Sequence, residues 1–184
     1  MMGRLTPPVS ERDHVRGPAE ARVTLVEYGD YECSYCGEAY AIIQAVRQRL
    51  GGQVRFVFRN FPLSELHPRA RLAAYAAEAA ALQGRFWEMH GLLYENQESL
   101  EPDDLIGYAE LLGLDVEQFD RDAGSRAVAE RVRSDCLGGA RGGVSGTPTF
   151  FINGQRYEGN WAVRPLFGAL EAALAEADSQ EQWR

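Results

Sequence analysis

The sequence contains no lysine. All 19 basic residues are arginine, set against 27 Asp and Glu, and the formal net charge is −8. The missing lysine reads as codon bias in an Ala- and Gly-rich sequence. The acidic balance removes the electrostatic footprint of a general DNA- or RNA-binding protein, so no nucleic-acid partner is expected. Long apolar runs are also missing. The Ala-rich segment 72–82 comes nearest, but it is too short for a bilayer and carries Glu78, so no membrane span is expected. The opening MMGRLTPPVSERDHVRGPAE has no apolar stretch of the secretory kind. The expected location is therefore cytoplasmic, with an exported mature form whose leader has been trimmed as the alternative. Cysteine is scarce, with three in the chain. A secreted disulfide scaffold of this size carries more of them and in even number, so these thiols are metal ligands, catalytic groups or inert core. What is present, 184 residues at 45% hydrophobic and 25% charged, suffices for one globular domain with its own core.

The apolar pattern describes an α/β chain. After an irregular lead-in over 1–20, RVTLVEY at 22–28 is a β-branched run ended by Gly29-Asp30, as for a buried strand. Tyr40, Ile43, Val46 and Leu50 then fall at helical spacing until Gly51-Gly52, and a second strand follows at 54–61. A β-α-β unit with so short a return is a right-handed crossover with parallel strands. The middle of the chain changes to helix signals. His67-Pro68 opens one helix, 85–96 is a second, Glu101-Pro102 opens a third, and Asp115 and Ser125 cap a fourth and a fifth. Strand character resumes at 149–152, turns at Asn153-Gly154 and returns over 155–158, and a last helix over 163–177 buries Leu166, Leu170 and Leu174. The expected organisation is a lead-in at 1–20, an α/β first half at 21–64, an inserted helical block at 65–125, a second half at 126–177 and a frayed tail at 178–184.

The chemistry concentrates at Cys33-Ser34-Tyr35-Cys36, where the first strand hands over to the first helix. Unpaired amides and the positive dipole end of a first helical turn stabilise a thiolate. Cys33 is thus the expected exposed nucleophile, and Cys36, one turn inward, the thiol that resolves a mixed disulfide. Zinc needs four ligands, and Cys136, His14, His67 and His90 offer no second ligand pair, so no metal is expected. Tyr35, between the cysteines, offers an apolar platform to a peptide, with Ser34 beside it. Val128, Val132 and Cys136 share a helix face, which makes Cys136 an inert core thiol; a regulatory partner for the active pair is the alternative. Trp87 reads as packing, His67 as a helix-start residue, and His14 carries no signal.

Four stretches in order, VTLVEYGDYECSYC, FRNFPL, RFWEMHGLLYENQ and GVSGTPTFFINGQRYEG, resemble the DsbA-like branch of the thioredoxin superfamily over about Asp13 to Ala177. The resemblance implies a thioredoxin-like fold with an inserted α-helical domain, and a protein disulfide oxidoreductase that uses no cofactor. Its implied partners are protein thiol or disulfide substrates and an unidentified redox partner. It implies that Pro148 is the cis-proline facing the cysteines, that the Thr147 backbone pairs with an extended substrate, and that Glu27 is a buried carboxylate relaying the proton of the inner thiol. A Glu27 whose head escapes to solvent at a strand edge is the alternative.

The dipeptide departs from the Pro-His of the strongly oxidising prototype. Tyr35 cannot replace that histidine, and Asp30, Glu32 and Glu38 further disfavour an anion. The expectation is a Cys33 pKa above the strong-oxidant extreme and a potential between about −270 and −120 mV, nearer the reducing end. Oxidase, reductase and isomerase directions stay open. Two other functions compete. A glutathione-dependent isomerase or transferase resembling the kappa class would carry Ser where Cys33 stands, and a non-catalytic peptide-binding module would not need the pair.

Overall fold

The computed structural model describes residues 3–181 of the chain. The elements are β1 (His14–Arg16), β2 (Val23–Gly29), α1 (Ser34–Leu50), β3 (Val54–Asn60), α2 (Ala70–Leu82) and α3 (Phe86–Glu95), then α4 (Pro102–Leu111), α5 (Val116–Ala123), α6 (Arg126–Arg141), β4 (Thr149–Ile152), β5 (Gln155–Arg156) and α7 (Val163–Glu181). The strands form one sheet in the order β1-β3-β2-β4-β5. β2 and β3 run parallel, Val23 beside Val54 through Gly29 beside Asn60, and β4 lies antiparallel on the other side of β2. β2 is therefore central, with its backbone paired along both edges.

Strand alternation divides the core. Val23 and Leu25 join Phe56, Phe58 and Phe150 on the face covered by α1 and α7, which contribute Ile43, Val46, Leu166 and Leu170. Val26 and Tyr28 join Val57, Val144 and Phe151 on the other face. There α6 closes in through Gly139, where a Cβ would come within 2.9 Å of Phe61 and Tyr28. Each large side chain buried this way contributes about 1.5–3 kcal/mol. By the same alternation Glu27 falls on the α1 face.

Four helices, α2 to α5, stand between β3 and α6. α2 buries Ala73, Ala74, Ala76, Ala77, Ala79 and Ala80, and these small residues let it pack against α3, α5 and α6. The caps read from the sequence are present. Asp115 accepts from the Gln118 amide at 2.9 Å, Ser125 from the Val128 amide at 3.2 Å, and the Glu101 amide donates to Asp104 at 3.0 Å. Asn153 (φ 49°) and Gly154 (φ 80°) make the tight turn of the β4–β5 hairpin. Among the described residues no helix is long and apolar enough to cross a membrane.

Four expectations change. The irregular lead-in contains β1, antiparallel to β3. It is fastened by Arg59, whose guanidinium donates to both Asp13 carboxylate oxygens (2.7 and 3.1 Å), to Pro7 O (2.8 Å), Pro8 O (3.1 Å) and the Tyr28 hydroxyl (2.9 Å). α2 starts at Ala70 rather than at His67-Pro68, because Asp30 and Glu32 engage the His67 ring and the Arg69 amide. β5 stops at Arg156. α7 continues past Ala177 to Glu181, with Asp178 ion-paired to Arg22 and the Ser179 hydroxyl donating to Ala175 O at 2.9 Å. The rest of the expected tail, 182–184, lies outside the described residues.

Candidate active site

Cys33 is the N-cap residue of α1, with extended backbone (φ −73°, ψ 119°), which ends β2's exit loop and starts the helix. Its amide donates to Asp30 O at 3.2 Å, and its carbonyl accepts from the amides of Cys36 (3.0 Å) and Gly37 (3.1 Å). Gln97, beyond α3, braces the same loop by donating to Tyr31 O at 2.8 Å and Cys33 O at 2.9 Å. Gly37 makes room for it, since a Cβ there would run into Gln97 Oε1. Cys36 is fully buried one turn inward, and both cysteines are free thiols.

Cys33 is not the exposed nucleophile that its position suggested. It is 4% exposed, because the Thr147–Pro148 loop lies over it and its thiol donates to Thr147 O at 3.6 Å. The Thr147–Pro148 peptide bond is cis. The exposed residues are Ser34 and Tyr35. The Tyr35 ring is 61% exposed and stands edge-on to Trp161, centroids 6.5 Å apart, over the same end of α1.

The two sulfurs are electrostatically unlike. The Cys36 thiol hydrogen-bonds the Cys33 sulfur and, against the opposing effect of burial, holds Cys33 near pKa 5, with help from the Cys36 and Tyr35 amides and the Thr147 side chain. Burial drives Cys36 the other way, far above the usual thiol range, and the bond to Cys33 and the charge of Glu27 add to it. Glu27 is 2% exposed, and its Oε1 has no hydrogen-bond partner. Burial, with the charge of Cys33 behind it, raises this carboxyl to about 8. The solvent-escape alternative fails because β2 is a central strand.

The acids around Cys33 are already engaged. Asp30 Oδ1 accepts from the Glu32 amide (2.9 Å), while Oδ2 accepts from the Leu63 amide (2.8 Å) and lies 2.8 Å from His67 Nδ1. Glu32 accepts from the Arg69 amide at 2.6 Å and its guanidinium at 3.3 Å. Of the three acids, only Glu38 stands exposed. Gln97, His67, Arg69 and Trp161 were missed as site residues. Their partners lie 32 or more positions away, and only the His67-Pro68 dipeptide stood out, as a helix start.

The remaining candidates make packing and hydrogen-bond contacts. Cys136 is half-buried and donates to Asn60 O at 3.8 Å, and burial with the Asp135 charge pushes its thiol up to about 11. Trp87 packs between Phe56, Phe86 and His90. His14, silent in the sequence, stacks on Phe86 at 3.5 Å and reaches Glu78 at 3.0 Å. Among the described residues no cluster of His, Cys, Asp or Glu is arranged to hold a metal ion.

A family model described as Thioredoxin matches residues 9–172. The chain belongs to the thioredoxin family. Its mixed α/β architecture is the thioredoxin-like fold with inserted helices, in the DsbA-like form. It superposes on oxidised BdbD from Bacillus subtilis with a TM-score of 0.84 and 25% identity, covering 95% of this chain and 98% of that one. A thioredoxin-like oxidoreductase from Silicibacter pomeroyi is 30% identical with a TM-score of 0.80, covering 89% and 93%. The Na(+)/H(+) antiporter NhaA 1 of Salinispora arenicola is 49% identical over 173 residues, which are 93% of this chain and 26% of that protein. The chain spans about a quarter of the length of the curated relatives it matches.

Proposed function

We propose that this thioredoxin-family chain is a thiol–disulfide oxidoreductase acting on protein substrates through Cys33 and Cys36. The observation that carries the reading is the unequal pair at the N-terminus of α1, Cys33 as its N-cap against the Thr147 carbonyl and Cys36 fully buried one turn inward, an arrangement that lowers the first thiol and raises the second. At neutral pH Cys33 is a thiolate, and it attacks one sulfur of a substrate disulfide. The substrate S–S bond breaks, its second sulfur leaves as a thiolate that takes a proton from solvent, and a Cys33–substrate mixed disulfide forms. Cys36 then gives its proton to Glu27, attacks the Cys33 sulfur and releases the substrate's remaining sulfur. The substrate gains two electrons and two protons, and Cys33–Cys36 becomes the disulfide. The reverse sequence oxidises a substrate dithiol.

Each role has its support. Glu27 is buried, unpartnered and raised to about 8, so it exchanges a proton near neutral pH. Thr147 offers its backbone beside Cys33, Pro148 holds that loop, and Tyr35 with Ser34 presents an exposed aromatic rim. A glutathione transferase of the kappa type is disfavoured by Cys33 in place of Ser. A passive peptide-binding module is disfavoured by the depressed thiol. Insulin reduction by dithiothreitol and oxidation of a reduced protein substrate, each compared with Cys33→Ser, test the reading; no catalysis in either direction overturns it.

The cytoplasmic setting belongs to the proposal too. In a reducing compartment the couple runs as reductase or isomerase rather than net oxidase. Acid-quenched thiol trapping in cells reads this directly, with a mostly dithiol Cys33–Cys36 expected. The antiporter relatives favour a second reading of context, in which this redox unit works beside a membrane transporter. Cross-linking to an antiporter in cells supports that reading, and its absence removes it.

A further inference from the structure

The turn that carries Cys33 is strapped to the segment entering α2 by two carboxylates. Asp30, whose side chain is fully buried, takes the Leu63 amide and the His67 ring. Glu32 takes the amide and guanidinium of Arg69, which also pairs with Glu101, the N-cap of α4. His67 is the half-exposed member, its side chain 24% exposed. The groups facing it are Asp30, Glu32 and Cys33 from the β2–α1 turn, with Arg69 two residues along its own segment and Glu101 beyond. An uncompensated carboxylate at Asp30, whose backbone oxygen accepts the Cys33 amide at 3.2 Å, opposes a thiolate on the same turn. The intervening Ser34-Tyr35 dipeptide has no cation to offset it.

We propose that His67 is a positioning residue for Cys33: protonated against Asp30, it cancels that carboxylate, supplies the cation that Ser34-Tyr35 lacks, and senses whether Cys33 is a thiolate or part of a disulfide. This deepens the oxidoreductase reading and rests on Cys33 as its nucleophile. Burial works against a charged His67, but the hydrogen bond and charge of Asp30, with Cys33 and Glu32 behind it, outweigh burial and hold its pKa above the ordinary 6.5. Coupling between two sites is reciprocal. If the Cys33 thiolate raises the proton affinity of His67, then protonated His67 lowers the proton affinity of Cys33 by the same factor. Oxidation to the Cys33–Cys36 disulfide removes the thiolate, so His67 then releases its proton at lower pH.

Two measurements on the whole chain test this. NMR titration of the His67 ring is compared between the reduced protein, the oxidised protein and reduced Cys33→Ser. The pKa is expected to fall by about half a unit or more, roughly threefold in proton affinity, in the latter two. Thiolate absorbance at 240 nm is then titrated in His67→Gln, where the Cys33 midpoint is expected to rise by a similar amount. An unchanged His67 titration overturns the proposal, as does an unchanged Cys33 midpoint in His67→Gln. The first comparison leaves His67 intact, so it holds even if that variant folds poorly. Neither readout needs turnover: coupling without substrate exchange keeps this inference and rejects the enzyme, whereas exchange without coupling does the reverse.

Discussion

The Cys33 sulfur lies 3.6 Å from the carbonyl oxygen of Thr147, joining two residues 114 positions apart. This contact makes the N-terminus of α1 a covered site rather than an open one. It also brings a backbone acceptor beside the sulfur where the substrate must bond. In the proposed function, a substrate strand pairing with Thr147 is expected to displace this cover and bring its own sulfur to Cys33.

Thiolate titration should give a midpoint near 5 that disappears in Cys33→Ser. Alkylation at neutral pH should strike Cys33 first and leave Cys36 and Cys136, both raised by burial, intact. A midpoint close to the ordinary 9 contradicts the proposed nucleophile.

Glu27→Gln should slow exchange and change how stability depends on pH. The folded-state pKa of Glu27, about 8, lies above the ordinary 4.5. Stability held with the carboxyl protonated is complete below 4.5 and is lost as pH rises through 8. Over that whole range the loss amounts to about 5 kcal/mol, which the glutamine variant escapes. Urea unfolding at pH 5 and pH 9 checks this. The variant should gain on the parent protein at the higher pH, and a constant difference counts against a buried Glu27.

Tyr35→Ala should raise KM for peptide and protein substrates several-fold, roughly 1 kcal/mol, and leave the Cys33 titration in place. The ring is 61% exposed and touches Trp161 rather than the sulfur chemistry. A drop in kcat with unchanged KM argues against a binding platform.

The strands, the first helix and its paired thiols were legible because their signals are local. These are β-branched runs closed by Gly29-Asp30 and Gly51-Gly52, side-chain caps three residues from their amides, and an Asn-Gly turn. β1 was not, because His14-Val15-Arg16 is three residues with two polar ends. It becomes a strand only through Phe56–Phe58 opposite it. Burial of Cys33 and neutralisation of Asp30 and Glu32 were also invisible, since Thr147, His67 and Arg69 reach them from distant parts of the chain. Glu27 was marked by the resemblance to the DsbA-like proteins, and its burial follows from the pairing of β2 on both edges, which no local pattern encodes.

Arg59→Met should cost about 3–5 kcal/mol, because it leaves the buried Asp13 without its partner and frees the segment around Pro7 and Pro8. A shift in the urea midpoint with an unchanged slope is the expected signature. A neutral substitution contradicts the anchoring of β1's lead-in.

The most direct measurement equilibrates the protein with a series of glutathione buffers, quenches it with acid, and weighs the Cys33–Cys36 peptide by mass spectrometry. The account predicts a reversible two-electron conversion between dithiol and disulfide, with a potential more reducing than about −120 mV. A pair that stays dithiol across the whole series, or one as oxidising as that limit, contradicts it.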